Sequence, residues 1–152
     1  MTIHSALGLQ IKERGKRLGY QKLNTERLNT LRVALKNLKV LVIDEVSMVG
    51  AEMLLHIHRR LQDIKGIPDS DTNTVFGGVS VLAVGDLLQL PPVGDMQIFE
   101  DQSVNSLTNL YGSLWQRHFH LVELTEVQRQ RGDLRFRSEE RRVGKECRSR
   151  WS

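Results

Sequence analysis

Leu28, Leu31, Leu35 and Leu38 recur at spacings of three and four within residues 22–38, with polar residues between them and Asn24 or Thr25 in front as candidate caps. That period puts the leucines on one stripe and predicts an amphipathic helix. Lys39 then leads into Val40-Leu41-Val42-Ile43, a short aliphatic run rich in β-branched residues that ends in Asp44-Glu45. Such a run predicts a strand buried on both faces of a parallel sheet. After Ser47, a candidate cap, Met53, Leu54, Ile57, Leu61 and Ile64 return to helical spacing. The stretch from Gly66 to Gly78 is polar and turn-rich, which predicts an exposed loop. Val79 to Val84 reads as a second strand of the buried type and ends in Gly85-Asp86. Leu107, Leu110, Leu114 and Trp115 mark a further helix, and Phe119 to Leu124 a third strand.

Strands alternating with helices, without an internal repeat, predict an α/β fold: a parallel sheet with helices on both faces. In such sheets ligands bind beyond the carboxyl ends of the strands, so the polar residues after each aliphatic run are where chemistry belongs. Three ends stand out: Asp44-Glu45, Gly85-Asp86 with Gln89, and Thr125 with Arg129.

The 152 residues amount to about one domain, and 39% hydrophobic with 26% charged residues excludes wholesale disorder and a collagen-like chain. No apolar run is longer than that from Val40 to Ile43, far from the ~20 residues that cross a bilayer. The N-terminus also lacks a basic-then-apolar signal pattern, so the expectation is an intracellular protein with no membrane partner. The single cysteine, Cys147, makes no internal disulfide and no cysteine-based zinc site. The net charge of +4 is concentrated in residues 137–152, where six basic side chains face three acidic ones; residues 1–136 hold sixteen against fifteen. Residues 137–152 have no apolar period and are expected to be disordered. They also resemble a translated cloning adaptor, which would make them a non-native tail. The domain is therefore placed at residues 1–136.

An aliphatic strand ending in Asp-Glu suits nucleotide hydrolysis: one carboxylate holds Mg²⁺ through its waters and the next orients or deprotonates the attacking water. Taken alone, Asp44 and Glu45 fit a merely solvated strand end equally well. In GDLLQLPPVG, residues 85–94, Gln89 follows Asp86 by three and precedes Pro91-Pro92, which restricts the backbone. A glutamine amide can donate to a γ-phosphate oxygen and accept from the attacking water at once.

Together, LVIDEVSMV (41–49), GDLLQLPPVG (85–94) and LTEVQRQRGD (124–133) strongly resemble motifs II, III and IV of superfamily 1B DNA helicases of the petite-integration-frequency (Pif) type, with RecD-like helicases as more distant kin. TIHSALGL, residues 2–9, resembles their motif Ia. The resemblance runs from Thr2 to Phe136. It implies a RecA-like P-loop NTPase fold, ATP and Mg²⁺ as cofactors, and single-stranded and forked duplex DNA as partners of a chain expected to be monomeric. By residue, it implies Asp44 as the Mg²⁺ carboxylate, Glu45 as catalytic base, Gln89 as γ-phosphate sensor, and Arg129 as the arginine that stabilises charge on the transferred phosphoryl. Thr2 and His4 fall where the family contacts single-stranded DNA. The implied activity is ATP-driven 5′-to-3′ translocation and unwinding in genome maintenance, such as repair, recombination or telomere upkeep. In a eukaryote that means the nucleus or mitochondrion.

The chain departs from the pattern in having no G-x-x-x-x-G-K-[ST], so it lacks the loop that cradles β and γ phosphates. Motif Ia stands at the start, which puts that loop upstream of Met1, and the second RecA-like domain would follow motif IV. The expectation is a partial motor domain, incomplete at both ends and inactive as an isolated chain. Leu87 stands where many relatives have an aromatic residue. A non-catalytic module gripping single-stranded nucleic acid near Thr2 and His4 is the alternative, as is a RecD-like recombination, conjugation or mobile-element helicase. His56 and His58, on a presumed helix, point apart, and neither they nor His118 and His120 are joined by a third ligand in the pattern. The basic cluster of Lys12, Arg14, Lys16 and Arg17 suits a solvated loop at least as well as a phosphate contact.

Overall fold

A computed structural model describes residues 2–10, 19–68, 70–71, 73–100 and 114–126. The chain divides into two units, residues 1–119 and 120–152, and the elements that follow belong to the first.

Thr2 caps the short helix α1 (Ile3–Leu7) by accepting from the Ser5 N–H, and Gly8, with φ of 60°, ends it in the left-handed conformation that an L side chain resists. Helix α2 (Thr25–Ala34) is capped by Asn24, whose side chain accepts from the Arg27 N–H at 2.9 Å. The leucine stripe extends beyond it: Leu28 and Leu31 lie on α2, Leu35 is its C-cap and Leu38 follows it, yet all four pack against the core. The end of α2 is held from outside. Lys65 Nζ donates to the carbonyls of Leu35, Lys36 and Leu38 at 3.1–3.3 Å, tying down the C-cap and the turn that follows the helix.

Strands β1 (Val40–Ile43) and β2 (Ser80–Ala83) pair in parallel, with Val40 opposite Ser80 and Ile43 opposite Ala83. The parallel α/β arrangement is as expected, but burial on both faces is not. Leu41, Ile43, Val81 and Ala83 face the core, while Val40, Val42 and Leu82 are each more than half exposed. Alternation along a strand gives two faces, and the helices among the described residues cover one of them.

Helix α3 (Ala51–Lys65) is the centre of the core. Ile57 and Leu61 are fully buried, and Leu54, Leu55 and Ile64 nearly so. Its start corrects one expectation: the N-cap is Gly50, whereas Ser47 lies buried in a 3₁₀ turn, Val46–Met48. Polar residues on the other side of α3 are buried as well, since the second half of the expected loop turns inward as a short 3₁₀ segment, Val75–Gly78. Phe76 and Gly77 are buried against α3. Buried Gln62 donates to the carbonyls of Asp71 and Thr74, and His58 Nδ1 accepts from the Phe76 N–H, so the loop's backbone polar groups find partners on the helix. Gly77, with φ of 63°, permits the close approach: a Cβ there would stand 2.6 Å from the Leu61 carbonyl oxygen.

Helix α4 (Leu114–His118) buries Leu114 and stacks Trp115 on Phe119, with ring centroids 4.6 Å apart. The earlier part of this expected helix, including Leu107 and Leu110, lies outside the described residues. The expected third strand is not formed: residues 121–126 carry no ladder, and Leu121, Val122 and Leu124 are highly exposed. β propensity alone does not make a strand, which also needs a hydrogen-bonded partner strand.

Candidate active site

The parallel register ends both strands at one edge. Val84 N–H donates to the Ile43 carbonyl at 2.8 Å and Val46 N–H to the Val84 carbonyl at 3.0 Å, so Asp44-Glu45 and Gly85-Asp86 leave the sheet side by side. Glu45 adopts φ of 52°, a left-handed conformation uncommon for a non-glycine residue and costing on the order of 1–3 kcal/mol. The turn it makes brings the chain against Gly85, where an added Cβ would meet the Val46 nitrogen at 2.8 Å and the Glu45 Cα at 3.3 Å. Only glycine fits that contact.

Asp44 Oδ1 accepts from the Glu45 N–H at 2.9 Å, and both carboxylates are exposed. Downstream of Gly85, Asp86 organises a tight turn. Its Oδ1 accepts from the Leu88 N–H at 3.0 Å and its carbonyl from the Gln89 N–H at 3.1 Å, which sets Gln89 one turn beyond the strand end with its side chain exposed. The structure thus brings together Asp44, Glu45 and the turn that carries Gln89. Exposed carboxylate oxygens are the hard donors that Mg²⁺ takes, and one carboxylate with waters and substrate phosphates suffices for it, so Asp44 fits that role.

Thr2 and His4 lie apart from these residues in sequence, Thr2 as the cap of α1 and His4 on it, and α1 packs on α3. The Thr2 hydroxyl oxygen accepts in the helix cap, while its proton is left to donate elsewhere. Arg129 lies outside the described residues.

Two features escaped the sequence reading. Asp95 reaches back to α3, where Oδ1 accepts from the Glu52 N–H at 3.4 Å and Oδ2 from the Met53 N–H at 3.2 Å. It supplies the cap that Gly50 cannot. A glycine directly before a helical period was the available signal. Beside it, Tyr20 docks on α3: its hydroxyl donates to Asp63 Oδ2, and the Arg60 guanidinium lies over its ring, 5.0 Å from the centroid. Burial first, and the hydrogen bond to Asp63 second, push the Tyr20 phenol above its ordinary range. Arg60, 2% exposed, donates to the Gln21 carbonyl at 2.8 Å.

Known proteins of one family resemble this chain. The family model described as PIF1-like helicase matches residues 1–146. An ATP-dependent DNA helicase PIF1 from Saccharomyces cerevisiae is 29% identical over 137 residues, covering 90% of this chain and 15% of the yeast protein. The ATP-dependent DNA helicase Pif1 of a Psychrobacter species is 35% identical over 94 residues, covering 62% of this chain and 13% of that protein. A Bacteroides Pif1 helicase, solved in complex with ADP-AlF3 and ssDNA, superposes with a TM-score of 0.53 at 30% identity, covering 84% of this chain and 29% of that one. The chain therefore spans about a seventh of these curated relatives. With its strand-end carboxylates, its Gln89 turn and a family match over nearly its whole length, the chain belongs to the PIF1-like helicases, and its sheet and helices are part of a RecA-like α/β domain.

Proposed function

We propose that this chain forms part of the ATP-hydrolysing motor of a DNA helicase that moves 5′ to 3′ along single-stranded DNA and unwinds forked duplexes in genome maintenance. The observation that carries the reading is the shared edge where Asp44-Glu45 and the Gln89 turn emerge from paired strands. There the Glu45 carboxylate takes a proton from, or orients, the attacking water. Gln89 donates its amide N–H to a γ-phosphate oxygen and accepts from the same water, fixing the angle of attack. Asp44 would hold Mg²⁺, which would supply neutralisation of charge on the phosphates. Arg129 meets the charge that develops on the γ-phosphoryl. Thr2 and His4 contact the DNA strand from α1.

The test is the full-length protein carrying this sequence, assayed for DNA-stimulated ATP hydrolysis and strand separation. Glu45→Gln keeps the side chain's size and removes its basicity, so ATP still binds while turnover collapses. Unchanged turnover in Glu45→Gln removes the ATPase reading. DNA binding with no hydrolysis in the unmodified protein selects a non-catalytic binding module instead.

A further inference from the structure

The segment from Gly85 to Asp95 is clamped at both ends on the segment from Glu45 to Met53. At its start, Gly85 lies against the backbone of Glu45 and Val46, and Val84 accepts from the Val46 N–H. At its end, Asp95 caps α3 on Glu52 and Met53, the Ala51 N–H donates to the Met96 carbonyl at 3.1 Å, and Gly50 pairs with Gln97 in an antiparallel bridge. Between the clamps lie the Gln89 turn and the stiff Pro91-Pro92 pair. The fit at the second clamp is close, because a Cβ on Gly50 would stand 2.2 Å from the Asp95 carboxylate. Gly50 has an ordinary φ of −81°, so the closeness of Asp95, rather than backbone conformation, calls for glycine there.

Asp95 is thus more than a cap for one helix. A carboxylate at a helix N-terminus satisfies open N–H groups and meets the positive end of the helix dipole. Here the carboxylate comes from another segment, so the same bonds that cap α3 also set where the chain leaving the Gln89 turn is anchored. Because α3 starts only six residues after Glu45, the anchor refers Gln89 to the strand end that carries the carboxylates.

We propose that Asp95 is a positioning residue for phosphoryl transfer, holding the Gln89 turn in register with Asp44 and Glu45 through the N-terminus of α3. The proposal rests on the ATPase reading above. Misplacement by about 1 Å can lower a rate by roughly a hundredfold, and Gln89 must meet the phosphate and the water together. Loosening the anchor therefore acts on turnover more than on nucleotide affinity.

The experiment is steady-state ATPase kinetics on the full-length protein with saturating single-stranded DNA, with active sites counted by titration with ADP-aluminium fluoride. Asp95→Ala is expected to lower kcat per titrated site roughly ten- to a hundredfold while KM for ATP stays within about twofold. Asp95→Asn, which keeps one accepting oxygen, is expected to recover a large part of that loss, and Gly50→Ala to reproduce it by displacing the carboxylate. Wild-type kcat per titrated site in Asp95→Ala overturns the proposal, as does a loss found only in the number of sites titrated, since that marks a purely structural cap. Glu45→Gln run in parallel separates the two readings: if it abolishes turnover while Asp95→Ala does not, the ATPase stands and the positioning role alone is lost.

Discussion

His58 and Phe76 are joined twice: Nδ1 of the imidazole accepts the Phe76 backbone N–H at 2.9 Å, and the two rings meet edge to face with centroids 5.4 Å apart. Phe76 is buried with φ of 52°, so this contact helps hold a backbone conformation that the residue would otherwise resist. An accepting Nδ1 requires the neutral ring. Burial first, then the charges of Arg59 and His118, lower the His58 pKa from 6.5 to about 4.

The consequence is a pH-dependent stability with a definite sign. The folded pKa lies below the unfolded one, so between pH 6.5 and about 4 the unfolded chain binds more protons than the folded one. The contribution is fully present above pH 6.5 and is lost as pH falls toward about 4, amounting at most to roughly 3 kcal/mol. Urea midpoints measured from pH 7.5 down to 4.5 are expected to fall more steeply in the wild type than in His58→Gln, which lacks a titrating ring. Parallel pH profiles would show that His58 is not the group responsible.

Gly77→Ala is expected to destabilise strongly, because the new Cβ meets the Leu61 carbonyl at 2.6 Å in a conformation with φ of 63°. Both obstacles are backbone, and α3 cannot yield without disturbing the core. The cost is about 2–4 kcal/mol, read as a shift of the denaturation midpoint. Gly66→Ala is the control: its φ of 71° is equally left-handed, but nothing lies within 4 Å of the added atom, so the loss stays near 1 kcal/mol. Equal losses at the two sites would assign the Gly77 effect to backbone conformation alone.

Lys65→Met keeps the aliphatic stem and removes the ammonium that serves the carbonyls of Leu35, Lys36 and Leu38. A loss of about 1–3 kcal/mol is expected, since these are charge-assisted bonds to the C-cap and the turn after α2. The sharper readout is local: hydrogen exchange should quicken in the last turn of α2 with the interior of α3 unaffected. Uniform acceleration throughout the domain contradicts the assignment.

Arg129→Ala and His4→Ala separate the roles drawn from the motifs. In the full-length protein Arg129→Ala should reduce turnover by a factor of ~10³ or more, the usual worth of an arginine that meets transition-state charge. His4→Ala should weaken single-stranded DNA binding and DNA stimulation while basal hydrolysis is kept. If Arg129→Ala instead loses DNA affinity at full turnover, Arg129 belongs to the DNA track.

What the sequence by itself determined was local or periodic. The spacing of Met53, Leu54, Ile57, Leu61 and Ile64 forms α3, the aliphatic runs form β1 and β2, and the carboxylates and Gln89 stand directly after those runs, where parallel sheets place their chemistry. Hydrophobic period needs only neighbours along the chain, so it is legible there. What the tertiary structure decided came from partners far apart in sequence. The period of α3 gives no hint that His58, Arg60 and Gln62 are buried, because Asp71, Thr74, Phe76 and Tyr20-Gln21 supply their partners from outside the helix. Likewise Ser47 is a sound cap by residue type, yet the cap of α3 comes from Asp95, forty-two residues beyond Met53. Val40, Val42 and Leu121 are apolar enough to be buried, but burial requires a covering element, and hydrophobicity alone does not say where that element lies.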